Sequence, residues 1–192
     1  MMKDDQRVAL TKRLLKEGLL RLMQDKPIDK IGVSELCKES GINRATFYRH
    51  YELPRDVLLN IGHDLFNGLR FDTWEIASVQ DIAHYTDLVL NHIDQNADTL
   101  KILLKNHSDE SLTQMINEYC DVIYRIKTPL NTTEIDAQSA RLLSAYTIGG
   151  IYFLLREWLL GDVHKTPQEM SELMLQLLQD SSVIVVTKPT KS

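Results

Sequence analysis

Residues 41–51 read Gly-Ile-Asn-Arg-Ala-Thr-Phe-Tyr-Arg-His-Tyr and carry the clearest chemistry in the chain. Within seven positions they gather the cations Arg44 and Arg49, the hydroxyls of Thr46 and Tyr48, the imidazole of His50 and the small Ala45. These side chains suit phosphate oxygens and base edges: hydroxyls and cations bind the backbone of a duplex, and an arginine fork matches a guanine edge. No nucleophile motif, Gly-rich phosphate loop or carboxylate pair in a defined context accompanies them, so the sequence argues against an enzyme.

Such groups need a rigid support. Gly41 can take the positive φ that a tight interhelical turn requires. Asn43 is a side-chain cap for the helix that follows. Leu36, Ile42 and Phe47 are expected to hold that helix on a core, with Tyr51 also inside and Cys37 as a small packing residue. The pattern is a helix-turn-helix, in which the second helix enters the major groove.

Periodicity extends helices over the rest of the chain. A first helix is expected at 7–23, ended by Pro27, and a second at 33–40 with Gly32 as its N-cap. Pro54 opens a fourth, in the first-turn position that tolerates a missing N–H. Further helices are expected at 81–95, 97–105, 108–127 and 135–160. A last one starts at Thr166-Pro167 with Glu169 completing a capping box. Residues 71–79 lack periodicity, and the tail 181–192 is β-prone but isolated. The helix at 135–160 is apolar nearly all round, which implies burial on several sides. Its Gly149-Gly150 pair costs helix stability and implies close approach of another helix. The fold class is therefore all-α: a three-helix DNA-binding domain at 1–53, and a second helical domain at 54–192.

The 192 residues carry a net charge of −5, unevenly spread. Residues 1–56 hold 12 Lys/Arg and 9 Asp/Glu, whereas residues 57–192 hold 10 and 18. The N-terminal part can meet a polyanion, while the acidic remainder repels one. Two distant cysteines and a polar N-terminus lead to the expectation of a cytoplasmic protein with reduced thiols. No apolar run reaches the length of a membrane span.

The stretch from about residue 10 to 65 resembles the DNA-binding domain of TetR-type transcriptional regulators. The likeness rests on Ile31-Gly32-Val33-Ser34-Glu35-Leu36, on residues 41–51, and on Asp56-Val57-Leu58-Leu59. It implies that Thr46 and Tyr48 contact phosphate, that Arg44, Ala45 and Arg49 face the groove, and that His50 and Lys12 reach the backbone. Two positions depart from the family pattern. Pro54 stands where the family has a phosphate-binding lysine, a role that Arg55 is placed to take over. Gly32 stands where the family has a threonine cap. The segment from Gly149 to Trp158 looks like the C-terminal subtype of dihydroxyacetone-kinase regulators.

The resemblance also makes 54–192 a ligand-binding and dimerisation domain and implies a homodimer on a palindromic operator in double-stranded DNA. The expected interface is Gly149, Gly150, Ile151, Leu154, Leu155, Trp158, Leu173, Met174, Leu177 and Leu178. An effector pocket is expected near Tyr85, His92, Tyr119, Tyr124, Arg125 and Tyr146. No cofactor is implied, and no histidine pair has the spacing of a helical zinc site. The leading expectation is a repressor released from its operator by an effector. The alternative is a co-activator of the same fold that answers to a protein partner.

Overall fold

The structure is a computed structural model that describes residues 2–69, 79–106, 110–124 and 136–180. Among the described residues there are nine α-helices and no strand. They are α1 (Met2–Asp25), α2 (Val33–Ser40), α3 (Arg44–Tyr48), α4 (Pro54–Phe66), α5 (Val79–Gln95), α6 (Ala97–Lys105), α7 (Glu110–Tyr124), α8 (Ala137–Leu160) and α9 (Pro167–Asp180). The all-α expectation holds. Of the aperiodic stretch 71–79 only Val79 is described, as the first residue of α5, and the tail 181–192 lies outside the described residues.

The chain divides into two packing units, Met1–Gly68 with Asp98–Ser111, and Leu69–Ala97 with Leu112–Ser192. The first unit thus reaches past residue 53 to take in α4, and it also recruits α6. In this unit α1 packs on α2 and α4, and α2 packs on α3. Its core is made by Leu15, Leu19, Met23, Leu36, Phe47, Val57, Leu58 and Ile61. The crossing of α1 and α2 depends on Gly18, where a Cβ would lie 3.1 Å from Ser40 Cβ and 3.2 Å from its Cα and N. Ser40 in turn donates its hydroxyl to Leu36 O at 2.7 Å, so its polar atom is satisfied in a buried place. In α6, Leu100, Leu103 and Leu104 are buried. Asn106, just beyond α6, accepts a hydrogen bond from the Ile28 N–H at 3.1 Å.

In the second unit α5 packs on α9. Its core draws on Val89, Leu90 and Ile93 of α5, Leu112, Met115, Ile116 and Tyr119 of α7, Leu155 of α8, and Met170 and Met174 of α9. The helix starts follow the sequence signals. Asp136 caps α8 by accepting from Gln138 N and Ser139 N. Thr166 and Glu169 form the expected reciprocal box, with Thr166 N–H donating to Glu169 Oε2 at 2.8 Å and Glu169 N–H to Thr166 Oγ1 at 3.2 Å.

Candidate functional site

The turn before α3 is built as its residue types demand. Gly41 has φ +69°, the left-handed region that favours glycine. Ile42 N–H then donates to Cys37 O at 3.0 Å, satisfying a carbonyl at the end of α2. Asn43 accepts from Thr46 N–H at 2.8 Å and so starts α3. The helix itself spans 5 residues, about a turn and a half. It is held by Phe47, which is 0% exposed. Cys37 is buried as a packing residue, and burial pushes its thiol up despite the nearby Arg44 charge.

Around that anchor the polar side chains point outward. Arg44, Ala45, Tyr48 and Arg49 are exposed, and Thr46 and His50 are half-buried. Tyr48 leaves 52% of its surface in water, unusual for an aromatic not otherwise engaged. Arg44 donates to the Tyr48 hydroxyl at 3.3 Å and sits 5.9 Å from the centroid of its ring. That bond holds the Arg44 guanidinium still further into its charged form. Arg49 donates to Thr46 Oγ1 at 2.9 Å. Among the described residues no carboxylate lies within ion-pair distance of Arg44, Arg49, Lys12 or Arg55, whereas Lys16, Arg21 and Lys26 are each paired. Lys12 is half-buried on α1, and Arg55 is exposed in the first turn of α4.

The two departures at this face have structural answers. Gly32 makes no side-chain cap bond to α2. At α4, Leu53 occupies the cap position; its carbonyl accepts from Asp56 N–H at 3.0 Å, but its side chain has no atom that can accept a hydrogen bond. Asp56 reaches back instead and accepts from Glu52 N–H at 2.9 Å and Leu53 N–H at 2.8 Å. Pro54 is buried, so its ring serves the start of α4 and carries no charge outward.

Sequence reasoning missed the network that locks α3 to its neighbours. Tyr51 is buried as expected, and its hydroxyl donates to Asn60 Oδ1 at 2.6 Å. Asn60 Nδ2 donates to Asp64 Oδ1 at 3.2 Å, and Asp64 pairs with Lys16 of α1. Burial, with the Asp64 charge, pushes the Tyr51 phenol up and keeps it a donor. Lys16 and Asp64 are too far apart in sequence for any local signal to have paired them.

The second unit holds a small cavity of about 10 Å³, lined by Thr86, Val89 and Leu90, by Met115, Ile116 and Tyr119, and by Ile151, Leu155 and Met174. That is room for one water at most. Thr86 spends its one hydroxyl hydrogen on Ile82 O at 2.7 Å, so the Tyr119 hydroxyl is the donor in the 2.6 Å bond between the two. Burial drives the Tyr119 phenol well above its usual range, and it pushes the adjacent Cys120 thiol up to about 12. Of the residues expected at a pocket, Tyr119 lines this cavity. Tyr85 and His92 are half-buried elsewhere on α5, and Tyr146 is 70% exposed. Arg125, and the side chain of Tyr124, lie outside the described residues. Among the described residues no group of three His, Cys, Asp or Glu side chains is placed to hold a metal ion.

The residues expected at a subunit interface divide between two surfaces. Ile151, Leu155, Trp158 and Met174 are buried inside the protomer. Trp158 donates its indole N–H to Lys165 O at 2.9 Å, a bond that ties the end of α8 to the loop before α9. Leu154 and Leu173 are half-buried and Leu177 is exposed, and the side chain of Leu178 lies outside the described residues. The exposed face of α8 is a stripe of Leu142 at 72%, Tyr146 at 70% and Phe153 at 67%. Gly149 and Gly150 lie on that stripe, and a Cβ on either would meet nothing within 4 Å. Leu142 and Phe153 were not among the expected contacts. In a helix apolar nearly all round, periodicity cannot say which stripe is left outside.

A family model describing the transcriptional regulator C-terminal region, TetR_C_8, matches residues 80–180. A TetR transcriptional regulator from Streptococcus agalactiae 2603V has a similar structure, with 23% sequence identity and a TM-score of 0.64 over 92% of this chain and 98% of that one. Lin0861 from Listeria innocua is similar at 18% identity, with a TM-score of 0.66 over 92% of this chain and 93% of that one. At these identities the likeness is one of fold. No curated protein matches the sequence.

Proposed function

The chain belongs to the TetR family of transcriptional regulators, and from that premise we propose a homodimeric repressor that binds a palindromic operator in double-stranded DNA and leaves it when an effector binds. The observation that carries the reading is the outward set Arg44, Ala45, Tyr48 and Arg49, mounted on a helix anchored by the buried Phe47 and free of carboxylate partners among the described residues. Donors arranged in this way suit phosphates and base edges in a major groove. Lys12, Thr46, His50 and Arg55 add backbone contacts. The domain division at 53/54 is functional: the base-facing residues lie before it, signalling and assembly after it, with Arg55 a backbone contact just beyond the division. A cytoplasmic location and the absence of enzymatic activity go with this reading. Within the family, the segment from Gly149 to Trp158 supports the dihydroxyacetone-kinase regulator subtype.

Dimerisation is supported by the exposed stripe of α8. Gly149 and Gly150 leave bare backbone facing open space, which suits the close approach of a second α8 across a two-fold axis. Leu142, Tyr146 and Phe153 extend that face, with Leu177 of α9 a further exposed apolar residue. A dimer places two copies of α3 about one helical turn of DNA apart.

The effector reading starts from the cavity. Its lining is apolar apart from the Thr86 and Tyr119 hydroxyls, and its size requires the walls to repack around any ligand. A ligand that binds the repacked form better shifts the population toward it. The chain itself offers a route outward. Only Asn96 separates α5, which lines the cavity, from α6, which belongs to the first unit.

The test is fluorescence anisotropy with duplexes from the protein's own promoter region, across a salt series. Sequence-selective binding whose logarithm falls linearly with the logarithm of salt is the expected result. Binding without sequence preference, or none, rejects the reading.

A further inference from the structure

We infer that Arg44, the first residue of α3, and Arg49, its C-cap in helical conformation, have separate tasks: Arg49 is the base-reading, specificity-determining cation, and Arg44 is a positioning residue that arms Tyr48 for a phosphate. The inference rests on the DNA-binding reading above and adds which contacts carry sequence information.

Helix geometry separates the two. Successive residues turn by about 100°, so Ala45 and Arg49 each lie about 160° from Phe47, one on either side of the line opposite it. Phe47 points into the core, so these two residues point furthest from the protein, toward the floor of any groove that α3 enters. Arg44 and Tyr48 lie about 60° and 100° from Phe47 on one flank, and Thr46 and His50 at about the same angles on the other. Burial follows this division on one flank, where Thr46 and His50 are half-buried against the exposed Ala45 and Arg49, while Arg44 and Tyr48 on the other flank are exposed as well. A helix lying in a groove has a phosphate strand on each flank, so the flank residues face backbone and the pair opposite Phe47 faces base edges.

The side-chain bonds fit this division. Arg44 donates to the Tyr48 hydroxyl and lies against its ring. A phenol that accepts from a guanidinium must aim its own hydrogen elsewhere, and its donor strength rises because the bond polarises it. That leaves Tyr48 an oriented donor with a fixed positive charge beside it, which is what a phosphate oxygen rewards. Arg49 is held at one nitrogen only, through its bond to Thr46 Oγ1. The rest of its five-donor fork remains available for the O6 and N7 acceptors of a guanine. Ala45 beside it adds only a methyl, which fits against a thymine methyl and lets the backbone come close. The operator class that follows is a half-site in which one guanine faces Arg49 and a neighbouring thymine faces Ala45.

The experiment is selection of bound duplexes from a randomised pool with the full-length protein, followed by anisotropy on the selected site and on single-base variants at several salt concentrations. Every substitution lies at an exposed position, and thermal melts confirm that the variants fold. Arg49→Met is expected to erase the preference for one G·C pair per half-site, a loss of about 10- to 100-fold in discrimination. Arg44→Met is expected to keep the same selected sequence while weakening binding to every duplex, and to lower the salt slope by about one per half-site. Tyr48→Phe should weaken binding uniformly in the same way. The double variant should lose no more than the larger single loss, because one contact is removed in each case. Arg44→Lys should restore the salt slope without restoring the full affinity of the armed phenol. A changed base preference in Arg44→Met, an unchanged one in Arg49→Met, or additive losses at Arg44 and Tyr48 overturn the inference and leave DNA binding standing. A wild-type protein that enriches no sequence overturns both.

Discussion

Phe153 gives the sharpest test of the proposed dimer. It leaves 67% of its surface in water. For an aromatic side chain of about 200 Å², that is about 130 Å² still to be covered. At about 25 cal/mol per Å², covering it contributes about 3 kcal/mol per copy. Alanine keeps a methyl, so truncation forfeits about 2–3 kcal/mol per copy. In the proposed dimer the two-fold axis counts this twice, giving about 4–6 kcal/mol and a dimer dissociation constant about 10³- to 10⁴-fold weaker. Because the ring is exposed in the protomer, Phe153→Ala should alter the protomer's own stability by no more than about 0.5 kcal/mol. Ile151→Ala is the contrast: Ile151 lies two residues away but lines the internal cavity, so its truncation should cost the fold about 2–5 kcal/mol. Sedimentation equilibrium over a wide concentration range measures the first effect, and thermal melting the second. The reasoning fails if Phe153→Ala dissociates at the same concentration as wild type. It also fails if Phe153→Ala melts as early as Ile151→Ala while remaining dimeric.

Three further outcomes follow from the described geometry. Tyr51→Phe removes one hydrogen bond to Asn60 and leaves the ring packed, so the melting free energy should fall by about 1 kcal/mol, and operator binding should weaken as α3 loses its tether; unchanged melting and binding would mean the network is idle. Gly18→Val should drive α1 away from Ser40 and destabilise the first unit by about 1–3 kcal/mol, read as a lower melting temperature, since a side chain there meets α2 backbone at 3.2 Å. Asp136 is held below the usual carboxylate range mainly by its hydrogen bond with the Ser139 side chain, and Glu169 mainly by the Thr166 backbone N–H. Their contribution to stability is therefore complete above the ordinary carboxylate range and is lost as pH falls through the lowered folded values. In an acid titration followed by circular dichroism, Asp136→Asn should keep a capping oxygen but flatten that part of the pH dependence; an unaltered acid limb would show that the cap does not titrate with folding.

Local signals placed the helices with little error. The second helix at 33–40 matches its expected span because Gly32 and Gly41 punctuate the chain on either side of it, and the sixth at 97–105 matches as well. The caps at Asn43 and Thr166 were equally legible, since a cap is a contact between residues two or three apart. Anchoring by Phe47 and exposure of Arg44, Tyr48 and Arg49 also followed, because one turn of helix sets which side chains face away from a buried aromatic.

The sequence alone settled what depends on neighbours along the chain: the helices, their caps, the left-handed turn at Gly41 and the cluster of donors after it. Only the tertiary structure decided that Lys16 meets Asp64, that α1 crosses α2 at Gly18 and Ser40, and that Tyr119 rather than Tyr146 faces the cavity. It also decided which stripe of α8 stays in water. The physical reason is range. Hydrogen bonding and steric preference act over three or four residues and are written in local order, whereas burial depends on what the rest of the chain brings to each face. A helix apolar on every side leaves that choice to packing.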